Sequence, residues 1–222
     1  GQVTAVISLD QLEPQALASL LPRFLEPLSG RVLFDGNDIA WVTLESLRAE
    51  TVWVSGEDPF FTGTVRDNIS CGSPTYSLQD VSDAASKVHA HKFVLKLPLG
   101  YETVLGEHGE TLEPGQAFQI GLARALLRNP ALMVIEEPST PLDDDTKSLL
   151  DDAWGRIVQG RTIVVFPTRL STVRRADQII VLHRGRVESI GPYSELVNSS
   201  PVYRHWEYVR FNEFRGGARP SS

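Results

Sequence analysis

Two neighbouring acids carry the strongest hint of chemistry in this 222-residue chain. Glu136 and Glu137 close the apolar run Leu132–Ile135, so they stand at the carboxyl end of a predicted buried strand, beside a loop. A carboxylate there can act as a general base if a positioned water and a metal-bound phosphate accompany it. It can equally be one of a pair of acids that simply end a strand. The other reactive side chains add little. His89, His91, His108, His183 and His205 match no metal-ligand spacing, and His89 and His91, two apart on a predicted helix, would face different sides. No metal centre is expected. Cys71 is the only cysteine, which excludes an internal disulfide and a zinc cluster and fits a reducing compartment.

The elements that must position these groups follow from periodicity. Val3–Ser8, Thr51–Ser55, Leu132–Ile135, Thr162–Phe166 and Ile179–His183 read as strands, the last paired with Arg186–Gly191 around Arg184-Gly185. Arg31–Phe34 leads into a hairpin-type turn at Asp35-Gly36. Leu17–Leu25, Leu44–Ala49, Leu78–Lys87, Ala90–Leu97, Gln116–Leu127, Asp143–Val158, Ser194–Val197 and Val202–Phe214 read as helical, Thr103–Gly109 as a loop and Gly216–Ser222 as a flexible tail. Strands alternating with helices predict an α/β fold with a mainly parallel sheet covered on both faces. The aromatic series Tyr203, Trp206, Tyr208, Phe211 and Phe214 reads as a helix covering the core. Hydrophobic content of 41% and charged content of 22% are globular values, which excludes a disordered chain. A formal charge of −7 and the lack of a basic stripe with aromatics argue against a nucleic-acid partner. No apolar run is long enough to cross a membrane.

A wider pattern surrounds the two acids. Gly115-Gln116 runs into Ala123-Arg124-Ala125-Leu126-Leu127-Arg128-Asn129-Pro130, then the apolar strand, the acids, Leu142-Asp143 and finally Arg169-Leu170-Ser171-Thr172-Val173. This order and spacing resembles the nucleotide-binding domain of an ABC exporter, from Gly1 to about Phe214. The resemblance implies a P-loop NTPase-like fold with a core over residues 1–62 and 128–214, a helical subdomain over 63–127, a partial antiparallel β-subdomain and a flexible tail at 215–222. It also implies ATP and Mg²⁺ as the family's cofactors. Gly1-Gln2 aligns with the Gly-Glu that precedes the family's first buried strand. The strands and the adenine-stacking aromatic (A-loop) expected before that point are absent, as if the piece had been trimmed or those strands not included.

Against that resemblance, the ligands of the nucleotide are gone. The Walker A window, where the family has Gly-x-x-Gly-x-Gly-Lys-Ser/Thr, reads Ser8-Leu9-Asp10-Gln11-Leu12-Glu13-Pro14-Gln15-Ala16. Without glycines, lysine and hydroxyl there is no backbone cradle, no counter-charge for the β/γ-phosphates and no magnesium ligand. Asp10 and Glu13 put negative charge where triphosphate would sit; two unit charges about 4 Å apart cost about 4 kcal/mol at an effective dielectric of about 20. The expected role of these acids is to cap the empty helix. Gly56 occupies the Q-loop glutamine position, with Ser55, Glu57 and Asp58 around it; a one-residue slip offers Glu57. The signature becomes Leu112-Glu113-Pro114-Gly115-Gln116, in which Glu113 repels phosphate and Pro114 has no N–H. Glu136 replaces the Walker B aspartate, Thr168 replaces the switch histidine, and only Glu137 matches the catalytic glutamate in kind.

What remains is the part that faces protein in the family. Thr103–Gly109, with Glu107, resembles the exporter loop that touches the coupling helices of the membrane domain. Leu44–Arg48, Phe60-Phe61 and Val65–Ile69 resemble the walls of the docking groove, although Phe60 and Phe61 could equally pack a core. The resemblance therefore implies a pseudo-ATPase domain on the cytoplasmic face of a membrane transporter, one half of a heterodimeric exporter. It would dock on a membrane domain and pair with a second, catalytically competent nucleotide-binding domain, with no bound cofactor of its own. Two alternatives stand beside it: an atypical ATP-binding domain using Glu136, Glu137 and Gln116, and an interaction module that has left transport.

Overall fold

The computed structural model describes residues 1–10, 12–56 and 60–212. Gln11, Glu57, Asp58, Phe214 and the predicted tail Gly216–Ser222 lie outside the described residues. The chain opens with β1 (Val3–Ser8) and α1 (Leu12–Leu20), then the short strands β2 (Leu33–Phe34) and β3 (Asn37–Asp38), α2 (Leu44–Glu50) and β4 (Thr51–Val54). The middle holds β5 (Gly63–Thr64), α3 (Val65–Ser70), α4 (Leu78–Lys87), α5 (Ala90–Val94), β6 (Val104–Leu105) and α6 (Pro114–Arg128). The last third holds β7 (Leu132–Glu136), α7 (Asp144–Val158), β8 (Thr162–Phe166), α8 (Leu170–Arg175), β9 (Gln178–His183), β10 (Arg186–Gly191), α9 (Tyr193–Ser199) and α10 (Pro201–Asn212).

Six strands form the main sheet in the order β10-β9-β1-β8-β7-β4, parallel except for the β9–β10 hairpin. Alternation explains how it is covered. Ala5, Ile7, Met133, Ile135, Ile163 and Val165 pack into the larger cluster, together with buried residues of α6 and α7 such as Leu122 and Leu150. Their neighbours Val6, Val134 and Val164 pack into the smaller one, with Leu17 and Ala18 of α1. Side chains two apart share a face of a strand, so both faces need a helix layer. Both hairpin turns put a non-glycine and then a glycine at positive φ: Asp35 at 49° with Gly36 at 80°, and Arg184 at 52° with Gly185 at 72°. That is the pairing a two-residue turn of matching twist requires.

The helix starts differ from the sequence expectation, each for a capping reason. α1 begins at Leu12, not Leu17, because the Asp10 carboxylate accepts from Leu12 N–H at 2.9 Å. Pro14 fits its first turn, where backbone N–H groups have no intrahelical partner. α6 begins at Pro114, not Gln116, with proline at the favoured first position and the Gln116 side-chain oxygen accepting from Glu113 N–H at 3.1 Å. α5 stops at Val94, three residues short of the expected Leu97. His89 is not on a helix face at all but precedes α5 in a left-handed conformation, φ 62°. The predicted loop Thr103–Gly109 contains β6, whose Leu105 is fully buried and pairs antiparallel with Gly63. A two-residue strand leaves no periodicity to read. The aromatic series splits: Tyr203 and Trp206 are buried in the core, whereas Tyr208 is exposed.

Asn68 on α3 ties the segment after β4 to the helices. Its side chain is fully buried, accepts from Phe61 N–H at 2.8 Å and donates to the carbonyls of Phe61 at 2.8 Å and Thr64 at 3.1 Å. Asn68→Ala leaves those groups without partners, and unmet buried polar groups cost about 1–3 kcal/mol each. A loss of about that size is expected in denaturant-monitored unfolding.

Candidate functional site

The carboxyl ends of β1, β8, β7 and β4 converge on one site. Ser8 and Leu9 leave β1, Gly56 follows β4, Glu136-Glu137 ends β7, and Pro167-Thr168 follows β8. Parallel strands with helix N-termini at their carboxyl ends place loops together there, the usual position of a ligand crevice in such sheets. A small cavity of about 80 Å³ lies at this point, lined by Ser8, Pro14, Trp53, Glu136, Phe166 and Thr168 among others. A larger cleft of about 720 Å³ runs outward from it between residues 138–142, Thr168–Ser171 and the α10 residues Trp206–Phe211.

Glu137 is the centre of the site, and it is occupied. Its Oε2 accepts from the backbone N–H groups of Thr168 at 2.8 Å and Arg169 at 2.9 Å. Its Oε1 accepts from Arg169 Nε at 2.9 Å, Arg169 Nη2 at 2.6 Å and the Thr172 hydroxyl at 2.5 Å. An ionised carboxylate offers about four lone-pair positions, and five donors meet Glu137 here. The pair is deeply buried, with side-chain exposures of 9% for Arg169 and 1% for Glu137. Asp151 on α7 holds the other edge of the guanidinium, accepting from Arg169 Nη1 at 2.8 Å and from the Ser171 hydroxyl at 3.0 Å. Thr168, at the switch-histidine position, contributes its backbone to Glu137 and donates its hydroxyl to Pro138 carbonyl at 2.9 Å.

The Walker A window is closed on itself. The Ser8 hydroxyl donates to Glu13 Oε2 at 2.5 Å, and the other Glu13 oxygen accepts from Gly185 N–H in the β9–β10 turn. Asp10 N–H donates to the Ser8 oxygen at 3.0 Å while its carboxylate caps α1. Of the two acids, Asp10 is therefore the cap, and Glu13 instead links β1 to the turn. Leu9, Leu12, Gln15 and Ala16 are exposed and Pro14 half-buried; Gln11 is outside the described residues.

Gly56, expected at the Q-loop position, lies against the backbone that follows β7. A Cβ there would lie 2.6 Å from the Glu137 carbonyl carbon and oxygen and 2.7 Å from Pro138 nitrogen. The neighbouring Glu57 and Asp58 lie outside the described residues. The signature residues also serve packing. Leu112 is buried, Glu113 and Pro114 start α6 exposed, and Gln116 is half-buried. Gly115 sits so near Thr146 of α7 that a Cβ would collide with its methyl. Asp143, which caps α7, accepts from Thr146 N–H at 2.8 Å. Hydrogen bonds from the Thr146 hydroxyl and N–H hold its carboxyl below the usual range.

The positions expected to dock on a membrane domain lie apart from this centre. Phe60 packs against the core, whereas Phe61 is 46% exposed, with the Arg124 guanidinium 5.9 Å from its ring centre. Glu107 is exposed, and its N–H donates to the Thr62 hydroxyl at 3.3 Å. His89 and His91 do take different partners, His89 pairing with Asp152 at 2.6 Å and His91 bonding Tyr101 hydroxyl at 2.8 Å. Among the described residues, no cluster of ligating side chains could hold a metal ion. No described helix is long and apolar enough to cross a membrane. Arg169 and Thr172 stand in the run Arg169–Val173 and Asp151 in a predicted helix, but they lie 14 to 35 residues from Glu137 and nothing local marks them as its partners.

Comparison with known proteins gives a consistent picture. A family model described as ABC transporter matches residues 16–140. The putative multidrug export ATP-binding/permease protein YgaD of Bacillus subtilis is 36% identical over 205 residues, covering 92% of this chain and 35% of that protein. The ATP-dependent lipid A-core flippase of Syntrophus aciditrophicus is 36% identical over 217 residues, covering 98% of this chain and 36% of its own length. ABC transporter B family member 1 of Arabidopsis thaliana is 35% identical over 213 residues, 96% of this chain and 17% of that protein. The chain thus spans about a third of the length of the bacterial relatives and less of the plant one.

Gly56 provides a direct test of how tightly this centre is closed. Because the atoms facing it are backbone, Gly56→Ala forces a main-chain shift, and overpacking of this kind costs about 1–3 kcal/mol. Thermal unfolding of the variant is expected to show that loss, and Gly56→Gln at least as much.

Proposed function

The chain belongs to the ABC transporter family as an ATP-binding domain of exporter type, and we propose that it is a degenerate one, which supports transporter geometry with little or no ATP binding or hydrolysis of its own. The observation that carries this reading is the saturation of Glu137. The only acid that matches a catalytic glutamate is neutralised by Arg169 and holds donors on both oxygens. General-base catalysis needs a free lone pair within reach of the attacking water. The closed Ser8–Glu13–Gly185 chain supports the same reading, since it fills the Walker A window with the protein's own hydrogen bonds and leaves negative charge there.

In this reading the domain acts on the cytoplasmic face of a membrane as one half of a heterodimeric exporter. A core over residues 1–62 and 128–214 carries a helical subdomain over 63–127. The exposed Phe61 and Glu107 would meet the coupling helices of a membrane domain, and a second nucleotide-binding domain would bind ATP for the pair. The cargo would be chosen by the membrane domain, not by this chain.

Two measurements test the proposal. Titration with ATP and Mg²⁺ to millimolar concentration is expected to leave the melting temperature unchanged. A ligand present at 100 times its dissociation constant would add about 2.7 kcal/mol, so a magnesium-dependent rise would overturn the reading. Glu137→Gln is expected to cost about 1.5–3 kcal/mol in urea unfolding, because it takes from the buried Arg169 guanidinium one of its two carboxylates and leaves only Asp151. A variant as stable as the parent would mean that the pair is not structural.

A further inference from the structure

The small cavity contains one acid and one base that the rest of the molecule does not use. Most polar groups on its wall are engaged: the Ser8 hydroxyl with Glu13, the Thr168 hydroxyl with Pro138, and Glu137 with Arg169. Glu136 and Arg210 also line it, both half-buried. Neither side chain makes a hydrogen bond or an ion pair with any described residue. Two opposite charges therefore face the same space, yet they stand farther apart than a direct ion pair. Each is partly withdrawn from water without compensation, which is an unfavourable arrangement unless a ligand completes it.

The cavity's own chemistry selects that ligand. A plain anion meets Glu136, and a plain cation meets Arg210. A zwitterion with its two charges a few atoms apart satisfies both at once. Trp53, Phe166 and Trp206 line the same space and offer aromatic faces suited to an ammonium group. Ser8, Thr168, Trp206 and Arg210 also line the outer cleft, so the small cavity opens into it. There Leu9, Leu142, Val209 and Phe211 supply an apolar wall. Concave sites with mostly apolar walls and a few convergent polar groups are the usual form of small-molecule pockets. We propose that this site binds an apolar α-amino acid, with its ammonium on Glu136, its carboxylate on Arg210 and its side chain in the outer cleft. The inference rests on the reading above that the crevice is no longer a nucleotide site.

The test uses calorimetric titration of the full chain with L-leucine, with isoamylamine (the same side chain with ammonium only) and with 4-methylpentanoate (carboxylate only). Leucine is expected to bind at a single site, and each one-charge analogue about tenfold or more weaker, a loss of about 1.4 kcal/mol per factor of ten. Glu136→Gln and Arg210→Gln are each expected to weaken leucine by a similar factor. Because neither side chain has a partner to lose, both variants should keep the parent circular dichroism and melting temperature. Absence of leucine binding, or unchanged affinity in both variants, overturns the proposal. Isoamylamine binding as tightly as leucine also overturns it, in favour of a simple cation site. A parallel titration with ATP and Mg²⁺ separates the two ideas: nucleotide binding would refute the degenerate reading, whereas silence toward both leucine and ATP refutes only the amino-acid site.

Discussion

The burial of Glu137 is tolerable only because Arg169 is beside it. A carboxylate taken from water at the end of a central strand costs several kcal/mol unless an opposite charge and good donors replace its hydration. Here the guanidinium supplies the charge, while the backbone after β8 and the Thr172 hydroxyl supply the remaining donors. Asp151 of α7 then holds the far side of Arg169 and is itself approached by Arg175 at 3.6 Å. One buried charge thereby fastens the ends of two central strands to α7 and α8. The loop after β7 is held where Gly56 can lie against it, and that close approach sets one wall of the crevice.

A related economy governs the helix ends. The first backbone N–H groups of a helix need partners from outside the helix, and a bound anion is one way to provide them. In this chain the partners are its own side chains. Asp10 serves α1, Asp143 serves α7 and the Gln116 amide reaches back to the residue before α6. Glu13 turns away to join Ser8 and the β9–β10 turn. The crevice can therefore keep its shape without phosphate, which is a different physical solution from one in which a nucleotide orders the loops.

How much of this could be read from sequence depended on the range of the interaction. The strands of the sheet, the helices Leu78–Lys87 and Asp143–Val158 and both hairpin turns were legible because period, caps and turn residues are local signals. The start of α6 was set two residues late because Pro114 was weighed as a lost N–H instead of a favoured first residue. β6 was missed because its two residues owe their conformation to pairing with Gly63 and Thr64. At the site, residue types at matched positions were visible, including the acid Glu137 and the hydroxyl Thr168. The ion pair of Glu137 with Arg169 was not, because Arg169 is brought to the acid only by the neighbouring placement of β7 and β8. Gly56 likewise looked like the simple loss of a glutamine, whereas its surroundings leave no room for a side chain.

That division follows from where the sheet and the crevice draw their contacts. The sheet is held by alternating apolar residues on β1, β7 and β8 that pack on helices from both sides, and none of those contacts requires a nucleotide. Burial of such side chains contributes about 1.5–3 kcal/mol each, and only a few of them, such as Val6, Ile7 and Phe166, also line the crevice. The crevice residues sit at strand ends and in loops, and those with tight surroundings, Gly56 and Glu137, matter to packing as well. Polar groups at the crevice must satisfy one another wherever no ligand does. The acids here do so through Arg169, Ser8, Gly185 and the backbone. Each such internal bond raises the cost of reopening the site to a phosphate, since the incoming anion would have to displace a partner already in place. In the reading proposed above, an empty crevice and the pairing of Glu137 would reinforce each other: without phosphate nothing competes for the acid, and the pairing keeps the acid from a phosphate.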